Sequence, residues 1–327
     1  TKMIPRLLSY FSFVLSSLLI GSFKISKQDI IITESPPLFL GFSGFLLSKV
    51  KGARWVFNVS DLWPESAVQL GIIKDGFSLK LSKKLEEFFY KKSWLITGQS
   101  KEIVKNIRHR FPNLNTYRYS NAVDTDKYNP KNNSNFFNQY ETTKKVKIVY
   151  AGLHGIAQGL DQIIDSLTFF QITHFRNFHI YFIGDGPDKD LLIKKSGKIS
   201  NCPVTFIPPQ KKNIMPEIWS SSDIALIPLK KYIPGAVPSK LYEAMSSGLP
   251  IILISSGEPK EIVTSANCGL IVDPGDVKSI RDAIIKLTTD KVLRTKMGNN
   301  GRKFVKKNFR RSVINREFLE YIKNNDN

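Results

Sequence analysis

Short apolar runs alternate with segments of helical periodicity along almost the whole chain, and this alternation limits the possible folds more than any other feature. Strands and helices in regular succession predict βα units, which build parallel sheets. In the first half, strands are predicted at Asp29–Thr33, Trp55–Val59, Trp94–Thr97 and Thr116–Tyr119, and helices near Leu38–Val50, Leu79–Lys91 and Lys101–Arg110. The predicted fold class is therefore α/β.

A second set of βα units follows the polar segment Asn129–Lys145, which predicts a linker or an exposed loop. Strands are predicted at Lys147–Ala151, His179–Ile183, Val204–Ile207, Ile224–Ile227, Ile251–Ile254 and Gly269–Val272. Helices are predicted near Leu160–Phe169, Lys189–Ser196, Ile214–Ser220, Ser239–Ser246, Glu258–Ser265 and Val277–Thr288, and a basic helical tail from Lys291 to Lys323. This set is sufficient for a complete doubly wound domain.

The length of 327 residues suits two domains better than one. The predicted division is a first domain at 1–128, a linker at 129–145, a second domain at 146–307 and a basic C-terminal helix at 308–327. Two doubly wound domains in tandem usually bind their ligand in the cleft between them, at the carboxyl ends of the strands.

The chain is strongly basic, with a formal net charge of +20. Such a charge indicates an anionic partner: a membrane surface, a phosphorylated substrate or nucleic acid. Nucleic acid is the weakest of the three, because neither zinc-finger spacing nor an aromatic RNA-binding strand accompanies the charge. The two cysteines, Cys202 and Cys268, have no zinc or CxxC spacing, which is typical of a protein from a reducing cytoplasm.

The segment from Leu7 to Phe23 contains no charged residue and lies between Arg6 and Lys24. A membrane-spanning helix needs roughly 20 apolar residues, and this segment is short and interrupted by serines. It is compatible with a helix lying in the membrane interface, a buried core helix or a spanning helix, and the interfacial helix is the favoured interpretation.

The loop GLHGIAQGL after the first strand of the second domain is a candidate ligand contact. Gly152 and Gly155 let the backbone approach a ligand closely, and the following helix offers free N–H groups to an anion. His154 could donate a hydrogen bond to a phosphate or sugar oxygen, although a solvent-exposed histidine without a role is an equal alternative.

A second candidate begins at Pro238, which sets the start of a helix that Ser239 is placed to cap. The free N–H groups of this helix end, together with Lys240, predict a diphosphate site. Glu243 follows Ser239 by one helical turn and can accept two hydroxyl hydrogen bonds, as a ribose diol requires. The alternative is an ordinary amphipathic helix with a solvated glutamate.

Two carboxylates, Asp61 and Glu65, follow the strand Trp55–Val59 in the string NVSDLWPES. They could do acid–base work, or Asp61 could cap the helix that follows. A D-x-D pattern at Asp124 and Asp126 could hold a metal ion, but a turn is the favoured interpretation, and no metal site is predicted.

Four strings carry a resemblance to a known family: VSDLWPESAVQLGII, YAGLHGIAQGLD, GAVPSKLYEAMSSGLPI and GLIVDPGD. On these strings the chain resembles the family-4 retaining glycosyltransferases of the GT-B fold. More narrowly, it is similar to bacterial polysaccharide enzymes akin to the L-fucosamine (UDP-L-FucNAc) and colanic-acid glycosyltransferases. The resemblance runs from about Arg6 to Asn308, nearly the whole chain.

The resemblance implies two Rossmann-like domains facing a cleft and a UDP-sugar donor, with no tightly bound cofactor. It also implies transfer, with retention, of an N-acetylated amino or deoxy sugar to a lipid-linked (polyprenyl diphosphate) glycan. That reaction belongs to cell-surface polysaccharide synthesis, such as O-antigen or capsule. The implied location is the cytoplasm, peripheral to the inner face of the cell membrane.

The resemblance also assigns residues. The position of Glu243 holds the nucleotide ribose, those of Ser239 and Lys240 lie against the diphosphate, and the segment containing Ile207 meets the base. Asp61 falls in the loop that carries the acceptor-side polar residue of the family.

The chain departs from the family pattern in three places. Gly235 stands where many relatives carry the first glutamate of an E-x7-E motif, and Leu153 and Gln158 stand where an Arg and a Lys often grip the diphosphate. The chain also begins at Thr1 without the first strand and Gly-Gly loop of the family, which predicts a truncated first domain. Two alternatives therefore stand beside the transferase: a non-catalytic remnant, and a nucleotide-sugar epimerase, against which the DLWPES and GAVPSK strings argue.

Overall fold

The computed structural model describes residues 3–69, 71, 76–131, 135–140, 145–170 and 172–325. They form two compact units: the first runs to Ser120 and also contains Ile233–Val237, and the second contains Asn121–Tyr232 and Pro238–Asn327. The predicted linker Asn129–Lys145 therefore falls inside the second unit. Its Phe137 is 1% exposed and stacks on Tyr181 with ring centroids 4.4 Å apart, so this segment is not uniformly exposed.

The first unit is built on a parallel four-stranded sheet in the order β1-β2-β3-β4. Its strands are β1 (Ile30–Ser35), β2 (Arg54–Val59), β3 (Leu95–Gly98) and β4 (Thr116–Arg118). Its helices are α1 (Met3–Lys24), α2 (Leu40–Lys51), α3 (Glu65–Gln69), α4 (Phe77–Lys92) and α5 (Lys101–Arg110). All four strands predicted for this half are present, and the core is aromatic, with Trp55, Phe57 and Phe89 packed together.

The helix predicted at Leu7–Phe23 is present as α1 and packs against α2 through apolar and polar contacts, with the Leu47 side chain against Gly21. The Ser17 and Ser43 hydroxyls are 2.7 Å apart, and Ser43 Oγ donates to the Val14 carbonyl at 2.9 Å. The large apolar side chains on the rest of α1 are exposed: Leu8, Phe11, Phe13, Leu15, Leu19, Ile20 and Phe23. The helix is thus not a buried core helix. Across the described residues, no helix combines the length and the apolar character that a membrane crossing requires.

The second unit contains a parallel six-stranded sheet in the order β10-β9-β8-β5-β6-β7. Its strands are β5 (Val146–Ala151), β6 (Phe178–Ile183), β7 (Val204–Ile207), β8 (Ile224–Pro228), β9 (Ile251–Ile254) and β10 (Gly269–Val272). The strand order runs outward from β5 in one direction and restarts at β8 on its other side. This reversal is a topological switch point, and ligands of doubly wound domains bind outside the carboxyl ends of the strands there.

Helices cover both faces of this sheet, as right-handed crossovers between parallel strands require. They are α6 (Asp161–Leu167), α7 (Lys189–Ser196), α8 (Met215–Ser220), α9 (Ser239–Ser246), α10 (Glu258–Ala266), α11 (Val277–Thr289), α12 (Lys291–Asn308) and α13 (Arg311–Asn324). The predicted helical tail is present as α12 and α13. Arg302 of α12 donates to the Ser246 carbonyl and to the Tyr128 carbonyl, so the tail supports the end of α9.

Candidate functional site

A cavity of about 460 Å³ lies in the second unit, outside the carboxyl ends of β5, β6 and β7 and against the start of α9. Of the residues that the sequence singled out, Gly152, Ser239, Lys240 and Glu243 line it. Two parts of the chain that are far apart in sequence, the loop after β5 and the first turns of α9, therefore meet at the predicted edge of the sheet.

The first turn of α9 begins without a side-chain cap. Pro238 is the N-cap residue, with an extended backbone at φ −63° and ψ 126°. Ser239 is already the first helical residue, so the prediction that its hydroxyl caps the helix is wrong. The serine is exposed and lines the cavity instead. The backbone N–H groups at this helix end therefore keep their partial positive charge available to an anion.

Lys240 reaches back from α9 to Tyr150 on β5. Its Nζ lies 3.0 Å from the phenol oxygen and 4.1 Å from the centroid of the ring. Burial lowers the pKa of Lys240 to about 8, and the nearby Glu243 carboxylate opposes this shift. The cation is therefore held at the cavity wall by an uncharged partner.

Gly152 gives this lysine its place. Its φ of +149° is a backbone conformation that side chains rarely adopt, and a Cβ at this position would overlap the Lys240 ammonium. The sequence predicted a glycine here for the close approach of a ligand. In the structure the glycine makes room for the Lys240 ammonium, and the ligand contact stays a prediction.

Two residues that were not predicted from the sequence form hydrogen bonds with the Glu243 carboxylate. The Trp219 indole N–H donates to Oε2 at 3.2 Å, and the Tyr128 hydroxyl also forms a hydrogen bond with the carboxylate. Burial raises the pKa of Glu243, while these two hydrogen bonds lower it. The carboxylate is thus oriented one helical turn below Ser239, as the spacing predicted. Nothing in the sequence around Trp219 or Tyr128 indicates this role.

Two further predicted residues do not line the cavity. Gly155 is buried in the loop behind it, and Ile207 is 0% exposed at the end of β7. The cavity wall that follows β7 is formed by Pro209 and Gln210. Leu153, which stands where relatives in the family named above often carry an arginine, also lines the cavity.

His154 is 0% exposed, so the alternative of a solvent-exposed histidine is wrong. Its ring lies about 6 Å from those of Tyr150, Phe182 and Phe206, and neither ring nitrogen has a hydrogen-bond partner among the described residues. Burial lowers the pKa of His154 to about 4, which leaves the imidazole neutral near pH 7. Its backbone N–H donates to the Asp185 carbonyl at 2.8 Å, which ties the loop after β5 to the loop after β6.

Gly235 belongs to the first unit, where its N–H donates to Glu102 Oε2 at 2.9 Å. Its φ is +76°, and a Cβ would overlap the side chain of Ile103. Only glycine fits this backbone, which explains why no glutamate stands here.

Asp61 and Glu65 lie at the carboxyl end of β2 in the first unit. The Asp61 carboxylate accepts hydrogen bonds from the Leu62 N–H and the Ser66 hydroxyl, and burial raises its pKa. Its Oδ1 is buried without a partner among the described residues. These bonds shape the loop before α3, so Asp61 has both a structural role and an unpaired oxygen.

Glu65 forms an ion pair with Arg110, with 3.6 Å between Oε1 and Nη1. The same guanidinium binds Glu86 at 2.5 Å, and Glu86 is 0% exposed. Glu65 is therefore one of two carboxylates that share this guanidinium, and its Oε2 is buried without a hydrogen-bond partner among the described residues.

The D-x-D pattern forms a turn. Asp124 Oδ1 accepts from the N–H groups of Asp126 and Lys127 at 3.1 and 3.0 Å, and Asp126 pairs with Arg310 at 2.8 Å. Among the described residues, no group of three or more His, Cys, Asp or Glu is arranged to hold a metal ion.

Comparisons with known proteins agree with this geometry. The family model described as "Glycosyl transferases group 1" matches residues 132–304. A relative from Pseudomonas aeruginosa, "Probable glycosyltransferase WbjE", is 24% identical over 310 residues, which cover 91% of this chain and 73% of that protein.

Two solved structures share the fold at 16% sequence identity. The sucrose-phosphate synthase of Thermosynechococcus elongatus gives a TM-score of 0.76, and the match covers 95% of this chain and 77% of the synthase chain. HepE of Anabaena, in complex with UDP, gives a TM-score of 0.75, and the match covers 96% of this chain and 82% of the HepE chain. The predicted α/β class of the GT-B type is confirmed.

Proposed function

Because the chain belongs to the group 1 glycosyl transferases, we propose that it takes its sugar from a UDP-sugar and holds the UDP in the cavity beside α9. The observation that carries the proposal is the pair Lys240 and Glu243 on the wall of one cavity. A cation at a helix start attracts a diphosphate, and a carboxylate one turn later accepts hydrogen bonds from a diol. A nucleoside diphosphate offers both groups.

The rest of the cavity suits the base. Pro209 and Met215 offer apolar surface, and Gln210 offers an amide whose Nε2 donates to the Pro208 carbonyl at 2.9 Å. Apolar walls with a few fixed polar groups are typical of small-molecule sites. The UDP in the HepE structure of Anabaena supports uracil as the base that this fold accommodates.

The chemistry follows from the charges at the site. Sugar transfer passes through an oxocarbenium-like state while the diphosphate departs with growing negative charge. Lys240 and the N–H groups at the start of α9 stabilise that charge more in the transition state than in the ground state. With retention, a phosphate oxygen of the departing UDP takes the proton of the acceptor hydroxyl. Asp61 orients the acceptor, and the backbone N–H of His154 ties the loop after β5 to the loop after β6.

The family resemblance supports a narrower substrate class, and the relative, a probable glycosyltransferase, supports sugar transfer itself. The donor sugar is an N-acetylated amino or deoxy sugar, and the acceptor is a glycan linked to polyprenyl diphosphate. The product serves cell-surface polysaccharide synthesis, such as O-antigen or capsule.

A lipid-linked acceptor requires the enzyme to work at a membrane surface. The exposed apolar side of α1 and the net charge of +20 both support peripheral binding to the cytoplasmic face of the cell membrane. The exposed Leu15 and Leu19 would insert among lipid headgroups, and basic side chains would meet anionic lipid.

A second candidate is a non-catalytic protein that binds nucleotide or membrane without transfer. The pairing of Glu65 with Arg110 favours it, because one of the two carboxylates predicted for acid–base work is engaged in the charge cluster with Glu86. UDP release from UDP-sugars in the presence of membrane lipid extract separates the two candidates: the transferase releases UDP, and the binding protein does not.

The test of the donor site is a calorimetric titration with UDP, CDP, GDP and ADP, on the wild type and on Glu243→Gln. We expect preferential binding of UDP, weakened about 10- to 100-fold in the variant, because a neutral amide is a poorer acceptor for the ribose hydroxyls.

Glu261→Gln is the matched control, since Glu261 is exposed on α10 and does not line the cavity. It should bind UDP like the wild type. A wild type that binds none of the four nucleotides would contradict the donor site.

A further inference from the structure

The partner of Lys240 is Tyr150, a residue 90 positions earlier in the chain. Tyr150 is 0% exposed and lies on β5, one residue before the strand ends. Its ring lies under the lysine side chain, and its oxygen is 3.0 Å from the lysine Nζ.

The direction of the hydrogen bonds at Tyr150 is determined by chemistry. The phenol oxygen is 2.7 Å from the carbonyl of Leu153, which can only accept, so the phenol hydroxyl must donate to it. The remaining lone pairs of the oxygen therefore face the Lys240 ammonium and accept from it. One of the three N–H donors of the ammonium is used in this contact, and two remain for a ligand.

The lysine charge is not neutralised by this contact. Among the described residues, no carboxylate oxygen lies within ion-pair distance of the Lys240 Nζ. A lysine ammonium on its four-carbon stem is flexible, and a neutral acceptor holds it in place without cancelling its charge.

We propose that Tyr150 is a positioning residue of the donor site, whose phenol oxygen seats the Lys240 ammonium so that its other N–H groups meet the diphosphate of the nucleotide sugar. This inference rests on the proposed function. Tyr150 acts through Lys240 and through the loop carbonyl of Leu153, so it links the loop after β5 to the start of α9.

Four titratable groups face the Lys240 ammonium or its surroundings. Tyr150 lies beneath it, Glu243 follows on the same helix, Asp185 lines the cavity from the loop after β6, and the buried His154 belongs to the loop after β5. Burial raises the pKa of Tyr150, so the phenol keeps its proton across the range where Lys240 titrates. A change in the pH dependence of binding above pH 7 therefore reports mainly on Lys240.

The test is Tyr150→Phe, which keeps the ring under the lysine and removes only the oxygen. We expect the Kd of UDP to rise about three- to tenfold near neutral pH, while the affinity for uridine, which has no phosphate, stays unchanged. The decline of UDP affinity with rising pH should also begin at lower pH in the variant, because the ammonium has lost an acceptor that favours its charged form. In a Lys240→Met background, Tyr150→Phe should have no further effect on UDP affinity.

Tyr181→Phe is the matched control, because Tyr181 is equally buried on the neighbouring strand and does not line the cavity. Its UDP affinity should equal that of the wild type. If Tyr150→Phe binds UDP with unchanged affinity and pH profile, or loses uridine and UDP equally, the inference is overturned while the donor site stands. If the wild type does not bind UDP, the proposed function is overturned and the inference with it.

Discussion

Lys240 lies partly buried beside an uncharged partner, the phenol of Tyr150, and burial lowers its pKa to about 8 from an ordinary value of 10.5. Between these two pH values the unfolded chain binds a proton that the folded chain does not. Stability therefore rises with pH across this window, and below it the cost of burying the charge is fully present. The residue that suits the diphosphate thus lowers the stability of the free protein.

We predict that Lys240→Met raises the free energy of unfolding by about 1–3 kcal/mol near pH 7, while it weakens UDP binding but leaves it measurable. The gain over the wild type should shrink as pH rises through the window above, because the wild-type lysine is then neutral. Thermal unfolding of both proteins at several pH values measures this. Lys306→Met, at an exposed position of α12, should change neither quantity. A variant less stable than the wild type near pH 7 would contradict the argument.

The charge cluster in the first unit leads to a second prediction. Glu86 is 0% exposed, and Arg110 is the cation that pairs with it. Arg110→Met should therefore lower stability by about 3–5 kcal/mol, because the buried charge loses its counter-ion and keeps the hydrogen bond of Tyr90. Burial already raises the pKa of Glu86, and protonation relieves the penalty, so the loss should be smaller near pH 5 than near pH 8. Denaturant unfolding at both pH values measures this.

The double variant Glu86→Leu with Arg110→Met is the control for that experiment. It removes both charges at once and should be more stable than Arg110→Met alone. Equal stability of the two variants would contradict the argument that the loss in Arg110→Met comes from the buried charge of Glu86.

At the scale of elements, α1 and α9 carry the two parts of the proposed activity. α9 presents its first turn and Glu243 to the cavity, and its inner face packs on the core through Leu241 and Met245. α1 instead exposes most of its large apolar side chains, which a helix packed in a core would bury.

We predict that Phe13→Ser combined with Leu19→Ser weakens binding to phosphatidylglycerol vesicles, because both side chains are more than half exposed, at 55% and 59%. UDP affinity should stay at the wild-type value. Vesicle flotation measures the first quantity and calorimetry the second. Val292→Ser on α12 removes an even more exposed apolar side chain, at 79%, and should leave flotation unchanged. Equal flotation of the α1 variant and the wild type would contradict a membrane role for α1.

At the scale of the whole molecule, the net charge of +20 should act with α1 on a membrane. We predict that flotation with phosphatidylglycerol vesicles falls steeply as salt is raised, because screening weakens the attraction of the basic side chains to anionic lipid. Vesicles of phosphatidylcholine alone should bind less and show little salt dependence. Vesicle binding that depends neither on lipid charge nor on salt would show that the net charge does not contribute to membrane binding.

The sequence by itself determined the features that depend on near neighbours. The alternation of apolar and helical segments predicted the ten strands found in the described part of the chain, because a strand or helix period is a local property of the chain. The spacing from Ser239 to Glu243 is local in the same way, and it placed the helix start with Lys240 and the Glu243 carboxylate one turn apart on one helix. The predicted capping role of Ser239 was wrong. The helix begins one residue earlier than predicted, because Pro238 has the extended backbone of the N-cap residue.

The tertiary structure decided which distant residues meet. Tyr150 reaches Lys240 across 90 positions, and Trp219 reaches Glu243 across 24, through the packing of strands and helices that no local pattern encodes. The burial of His154 and the need for glycine at Gly235 likewise depend on side chains from other elements. A period along the chain shows which face a residue occupies, but its partner is set by the order of strands in the sheet and by close packing, which only the folded chain defines.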